Sequence, residues 1–251
     1  MSRNFELLQK LGKQGLFDAP TETGNGHNAA GSSEAPTVSS PLPIQPGLEE
    51  IHSFVQQVFL AAGAVPRTVV FTSTEPGTGC SWVTAHTAEV LAGRIAGSVC
   101  VVDANLRDPG LAAQFAMDEG PGLSEALQNP DPIRNFLRPT SFPNLFAITA
   151  GRSTAESPTL AASERMRLRV HELRSEFDFV LIDAAAVSVA NDAGSIGSAS
   201  DGVVLVLKAN ASRREAARQA IQGLQAGNAK VLGAVLNQRQ FPIPEALYKR
   251  L

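Results

Sequence analysis

From Gly47 onward the chain alternates two hydrophobic patterns. Short continuous apolar runs near 67–73, 99–103, 144–149, 178–183, 202–207 and 231–236 are separated by stretches with apolar residues at helical spacing, near 79–95, 157–175, 190–199, 211–226 and 244–250. A helix over 48–62 precedes them, with Leu48, Ile51, Val55, Val58 and Phe59 on one side. A strand that reads apolar at every position is covered on both faces. The alternation therefore predicts an α/β fold, a mainly parallel sheet with helices on both sides. In such sheets ligands bind beyond the carboxyl ends of the strands. The segment 104–143, rich in Pro, Gly and Asn, predicts loops and short helices draped over that edge.

The first 47 residues follow a different rule. Residues 1–17 place Phe5, Leu8 and Leu11, with Leu7 alongside, at helical spacing and lysines on the other face, which predicts a short amphipathic helix. Two readings of it stand open: a docking element for a partner or membrane surface, or a tail that packs locally. Residues 18–47 run through Gly, Ser, Thr, Pro and Asn with few apolar anchors and read as a disordered linker. The expected organisation is helix 1–17, tether 18–47 and one domain over 48–251.

Composition narrows the classes. With 251 residues, 43% hydrophobic, the chain can bury a large core, and a net charge of −3 gives no reason to expect nucleic acid. Cys80 and Cys100 are too few for a disulfide framework and have no metal-ligand spacing, so a reducing cytoplasm is expected. No apolar run approaches the roughly 18 residues of a membrane span, and the polar N-terminus does not read as a signal peptide.

Three segments end strands at the ligand-binding edge. Residues 73–81, STEPGTGCS, place a glycine-rich turn between a strand and a helix, the setting of a phosphate-binding P-loop. Gly77 and Gly79 let the backbone approach phosphate, Ser81 offers a hydroxyl to Mg²⁺, and the helix adds its dipole. Residues 101–109, VVDANLRDP, put Asp103 at a strand end, and 177–186, FDFVLIDAAA, put Asp183 at another. Trp82 and His86 lie four apart on the helix after the turn, where they can touch a ligand or partner; core and surface packing is the expected role.

In this order the three segments resemble the bacterial tyrosine kinases of capsule and exopolysaccharide synthesis, relatives of the deviant P-loop ATPases that select division sites and partition plasmids. The matching positions are Ser73, Pro76, Gly77, Gly79 and Ser81, then Asp103, Arg107 and Pro109, then Asp183 and Asn237. GLSEAL at 122–127 and AGRSTAESP at 150–158 are also similar to segments of that family. The resemblance implies a P-loop NTPase fold that binds ATP or ADP with Mg²⁺. It places nucleotide on Pro76, Gly77, Thr78, Gly79, Cys80, Ser81, Arg107, Asn237 and Arg239, with Asn237 by the adenine. It places Mg²⁺ on Ser81, Asp103 and Asp183, and catalysis on Asp103 and Asp183. It further implies a membrane polysaccharide copolymerase as partner, a homo-oligomer, and a place in the cytoplasm at the inner membrane.

The departures from that pattern fall on its chemistry. Cys80 stands where the family has the P-loop lysine, Asn105 where it has a second aspartate, and Ala185 and Ala186 where it has two prolines. If Glu50 is the glutamate of the family's ring-forming helix, Ser53 and Gln56 occupy its arginine positions. The family's C-terminal tyrosine cluster is reduced to Tyr248, the one tyrosine of the chain, which reads as a phospho-acceptor or as part of an apolar anchor with Phe241, Ile243, Leu247 and Leu251. A P-loop lysine contributes charge-assisted bonds worth roughly 1.5–3 kcal/mol each. Its loss weakens nucleotide binding about ten- to a hundredfold, and phosphoryl transfer depends more steeply still on that charge. The expected role is a degenerate kinase serving exopolysaccharide or capsule assembly, as scaffold or nucleotide sensor. The alternative is an active tyrosine kinase or ATPase that uses Arg107, or a partner's residue, as substitute cation.

Overall fold

The computed structural model describes residues 47–152 and 157–238. The expected N-terminal helix and linker, Arg239, Tyr248 and the helix expected near 244–250 lie outside the described residues. The elements run α1 (Leu48–Val58), β1 (Thr68–Ser73), α2 (Cys80–Ala92), β2 (Val99–Asp103), α3 (Leu111–Gln114), α4 (Leu123–Gln128), a 3₁₀ turn (Ile133–Phe136) and β3 (Arg138–Pro139). They continue through β4 (Leu145–Ile148), α5 (Ser157–Leu160), α6 (Glu164–Glu176), β5 (Phe179–Asp183), α7 (Asp192–Ser198), β6 (Gly202–Lys208), α8 (Arg214–Ala226) and β7 (Val231–Asn237).

The seven strands form one sheet in the order β3-β4-β2-β5-β1-β6-β7. All neighbours are parallel except the short pair β3 and β4. Alternate residues of the strands face opposite sides of the sheet, and the core divides into three clusters, the smallest being Leu205 and Leu207 against Ala217 and Ala220 of α8. Val69, Phe71, Val99, Val101 and Leu181 pack with α1 and α2 through Ile51, Val55, Val83 and Leu91. Val70, Val102, Val180 and Ile182 pack on the other face with α4, α6 and α7 through Leu127, Met166, Val170 and Ile196. This double coverage is why the strands read as unbroken apolar runs.

Three boundaries differ from the sequence expectation, each for a local reason. The helix expected over 157–175 is two helices, because Ser163 turns outward as an N-cap and its hydroxyl accepts from the Met166 amide at 3.4 Å. The first helix stops at Val58 rather than continuing to 62: Ala61, Ala62 and Gly63 are exposed and offer nothing to the core, and Gly63 has φ +114°. The loop region 104–143 contains the edge strand β3, whose Pro139 is confined to an edge because it cannot donate to a ladder. The two family-like segments meet at the sheet edge. Leu123 and Ser124 donate their amides to Thr149 O and Ala150 O, and the Glu125 carboxylate accepts from the Gly122 and Arg152 amides.

Candidate phosphate-binding site

β1 is an inner strand between β5 and β6, and the loop leaving it, Ser73–Gly79, opens α2. Gly77 and Gly79 take φ of +76° and +80°, a left-handed backbone that side chains rarely adopt. A Cβ on Gly79 would come within 2.4 Å of Asn237 Nδ2, so the loop and the end of β7 are in close contact. Asn237 Nδ2 donates to Thr78 O at 2.8 Å, and Gln238 Nε2 donates to Gly77 O at 3.2 Å. On the other flank Ser212 Oγ donates to Glu75 Oε1 at 2.9 Å. The loop is therefore braced from both sides by side chains. Its helix starts without a side-chain cap, leaving first-turn N–H groups to an anion.

Beside this loop lies a cavity of about 270 Å³. Its lining comprises the turn from Pro76 to Ser81, Trp82, the β2-following loop from Asn105 to Gly110, Gln114, and an apolar wall of Ala184, Ala185, Ala186 and Val189. Among these described residues Arg107 is the one cation, and its Nε lies 3.8 Å from Asp192 Oδ2. Asn105 is engaged within its own loop: its Nδ2 donates to Asp108 O at 2.6 Å, and its Oδ1 accepts the Asp108 amide at 3.3 Å. Trp82 packs against the core under α1 and α2, as its spacing suggests, and also lines the cavity. It stacks on His86 with centroids 4.2 Å apart.

Asp103 and Asp183 are in register on β2 and β5, so they share a face at a strand separation of about 4.8 Å. Both are fully buried, and neither lines the cavity. Asp103 accepts the amides of Asn105, Gly110 and Leu111 at 3.2, 3.0 and 2.9 Å. Asp183 accepts none: both its oxygens are buried without a hydrogen-bond partner. The Ser81 hydroxyl and the Cys80 thiol lie close enough to favour its charged form, yet neither completes a hydrogen bond to it. Burial pushes both carboxyls above their ordinary range, and the charge of Asp183 raises Asp103 further, against the pull of its three amides. The same burial, with the negative charge of Asp183, pushes the Cys80 thiol well up, so the residue in the lysine position is a neutral thiol. Gly110 packs onto Ser81, where a Cβ would come within 2.4 Å of Ser81 Oγ.

The structure thus brings Pro76, Gly77, Thr78, Gly79, Cys80, Ser81 and Arg107 around one cavity, with Asp103 and Asp183 behind it and Asn237 against the loop's carbonyl side. Sequence reading did not find Asp192, the buried partner of Arg107, or the Glu75–Ser212 tie. Only the chain's return at α7 and at the β6–α8 loop brings these into place. Among the described residues no group of three or more His, Cys, Asp or Glu could hold a metal ion, and no helix is long and apolar enough to cross a membrane.

No protein-family model matches the chain. Tyrosine-protein kinase YwqD of Bacillus subtilis is 28% identical over 175 residues, 70% of this chain and 73% of that protein. The putative tyrosine-protein kinase EpsB of Ralstonia solanacearum is 30% identical over 199 residues, and the succinoglycan biosynthesis transport protein ExoP of Rhizobium meliloti 29% over 183. These matches cover 78% and 71% of this chain but only 26% and 23% of EpsB and ExoP. Among solved structures, the chimerical protein CapA2B2 superposes with a TM-score of 0.72 at 24% identity, covering 78% of this chain and 87% of that one. The BceF tyrosine kinase domain gives 0.65 at 28% identity, over 75% and 76%. The septum site-determining protein MinD of Pyrococcus horikoshii, complexed with Mg-ADP, gives 0.59 at 24%, over 73% and 76%. The chain is a homologue of the bacterial tyrosine kinases, built on the P-loop fold that their kinase domains share with the MinD and ParA ATPases.

Proposed function

We propose that this protein serves capsule or exopolysaccharide assembly as a non-catalytic member of the tyrosine-kinase type, a scaffold or nucleotide sensor for a membrane polysaccharide copolymerase. The observation that carries the reading is Cys80, a lining residue at the first turn of α2, in the position where phosphoryl transfer requires a cation. The names of the relatives, tyrosine kinases and a succinoglycan transport protein, supply the pathway class. The expected setting is the cytoplasm, at the inner membrane through that partner.

The site fits a phosphate group better than it fits catalysis. The uncapped start of α2 and the buried, unpartnered Thr78 hydroxyl offer donors to an oxyanion. If Mg²⁺ accompanies ATP or ADP, Ser81 and the unpartnered Asp183 supply oxygen ligands of the type it takes, while Asp103 stays committed to its amides. The metal would supply positive charge to the phosphates. The chain's own residues supply orientation through the glycine turn and an apolar wall through Ala184–Ala186.

Arg107 on the cavity wall favours a second reading, an ATP-dependent tyrosine kinase with a substitute cation. Transfer of radiolabelled phosphate from ATP to the protein or to a tyrosine copolymer separates the two. Wild type is expected to transfer none. Transfer that disappears in both Asp183→Ala and Arg107→Ala would establish the second reading. Recruitment by a membrane partner is tested by deleting residues 1–40; unchanged membrane recovery would remove the docking role of that segment.

A further inference from the structure

We infer that the cavity is a receptor for an aryl phosphate, the side chain of a phosphotyrosine presented by a partner protein. The inference rests on the reading of the cradle as non-catalytic and names the ligand of that same cavity.

Four features of the site point the same way. The cradle end is built for an oxyanion: α2 is a 13-residue helix with an uncapped N-terminus, and Thr78, one of the lining residues, has a hydroxyl buried just beneath with no partner of its own. Its charge suits one phosphoryl group rather than three, because the lysine that would balance a polyphosphate is absent and Arg107 shares its charge with Asp192. The space is small, about 270 Å³, below the roughly 300–1,000 Å³ that drug-sized ligands occupy. And the cavity has an aromatic and apolar part to its lining. Trp82 forms one wall; the apolar run Ala184–Ala186 with the exposed Val189 also lines it.

The Trp82 wall is held before any ligand arrives. The indole stacks on His86 at an interplanar angle of 25°, and His86 is fixed in turn by a 2.9 Å contact between Nδ1 and Trp82 O. The indole is thereby held by His86 on one face and by the core beneath it, and Trp82 lines the cavity in a fixed position, as a preformed aromatic contact does. On the purine side the opposite holds: Asn237 and Gln238 spend their amides on P-loop carbonyls and do not line the cavity. A phosphate on a single ring matches these walls.

Trp82 is the only tryptophan of the chain, so its fluorescence reports on this cavity directly. The experiment titrates full-length protein with N-acetyl-phosphotyrosine amide, with the phosphoserine equivalent, with inorganic phosphate, and with ATP or ADP with and without Mg²⁺, followed by fluorescence and calorimetry. The expected result is a fluorescence change with phosphotyrosine, affinity at least tenfold above phosphoserine, competition by inorganic phosphate, and at least a tenfold loss in Thr78→Val with an unchanged circular dichroism spectrum. Calorimetry on Trp82→Leu is expected to bring phosphotyrosine down to the phosphoserine level. Equal affinity for phosphoserine, or no phosphotyrosine binding at millimolar concentration, overturns the inference and leaves the non-catalytic reading standing. Phosphate transfer from ATP in the radiolabel assay overturns the non-catalytic reading itself, whichever way the titration falls.

Discussion

Asp103 and Asp183 end neighbouring strands at the same height, face the same side and are equally buried, yet their surroundings are opposite. After β2 the chain folds back, and the amides of Asn105, Gly110 and Leu111 converge on Asp103. After β5 the chain moves away, and the next amide, Ala184 N, is taken by Phe71 O in continuation of the ladder. One carboxylate is a brace for the loop that walls the cavity. The other is held ready with both oxygens unspent. The difference teaches that a matched pair of strand-terminal carboxylates does not form a matched pair of functional groups; the loop that follows each decides its role.

The sharpest way to break that comparison is to remove the brace. Asp103→Ala deprives the part-buried Gly110 amide and the buried Leu111 amide of their acceptor and is expected to cost about 3–5 kcal/mol in urea denaturation. The same change at Asp183, where no hydrogen bond is lost, is expected to cost far less. If the two cost the same, Asp103 is not the brace.

The second test uses acid. Both carboxyls are raised by burial, so the native state holds protons that the unfolded chain has already released above its ordinary value of about 4. Stability from this corner therefore falls as pH rises from about 4 toward the raised native values, with the larger share from Asp103. Asp183→Asn removes the buried charge and is expected to flatten this part of the profile and to stabilise the protein near pH 8 by about 1–3 kcal/mol, read as the shift of the urea midpoint. A profile that keeps its slope in the variant would assign the titration elsewhere.

The smallest effect is expected at Asn105. Asn105→Asp keeps the acceptor for the Asp108 amide but loses the donor to Asp108 O and sets a second charge beside Asp108. A loss of about 1 kcal/mol is expected, measured the same way.

The sheet was legible because its strands are covered on both faces and so read as apolar runs, and the glycine turn because Gly77 and Gly79 mark backbone that other residues rarely adopt. β3 was not legible: Arg138–Pro139 has no period, and only β4 makes it a strand. The break at Ser163 was hidden inside an otherwise helical stretch, since a serine before Glu164 is an N-cap only when the chain turns there. Asp103 and Asp183 could be placed at one edge from sequence, but their inequality depends on how Asn105–Leu111 returns. Trp82 was legible as an aromatic one residue past Ser81, and its place on the cavity wall depends on the loops packed opposite.

The contact of Asn237 and Gln238 with the carbonyls of Thr78 and Gly77 has a mechanical consequence. β7 pairs with β6 alone among the described strands, and Asn237 at its end and Gln238 just after it grip the phosphate loop by two amide groups. A pull on the backbone just past Gln238 reaches the loop without crossing the sheet. Whatever takes hold of the chain there has a lever on the shape of the cradle, and an occupant of the cradle, by stiffening the loop, resists that lever in return.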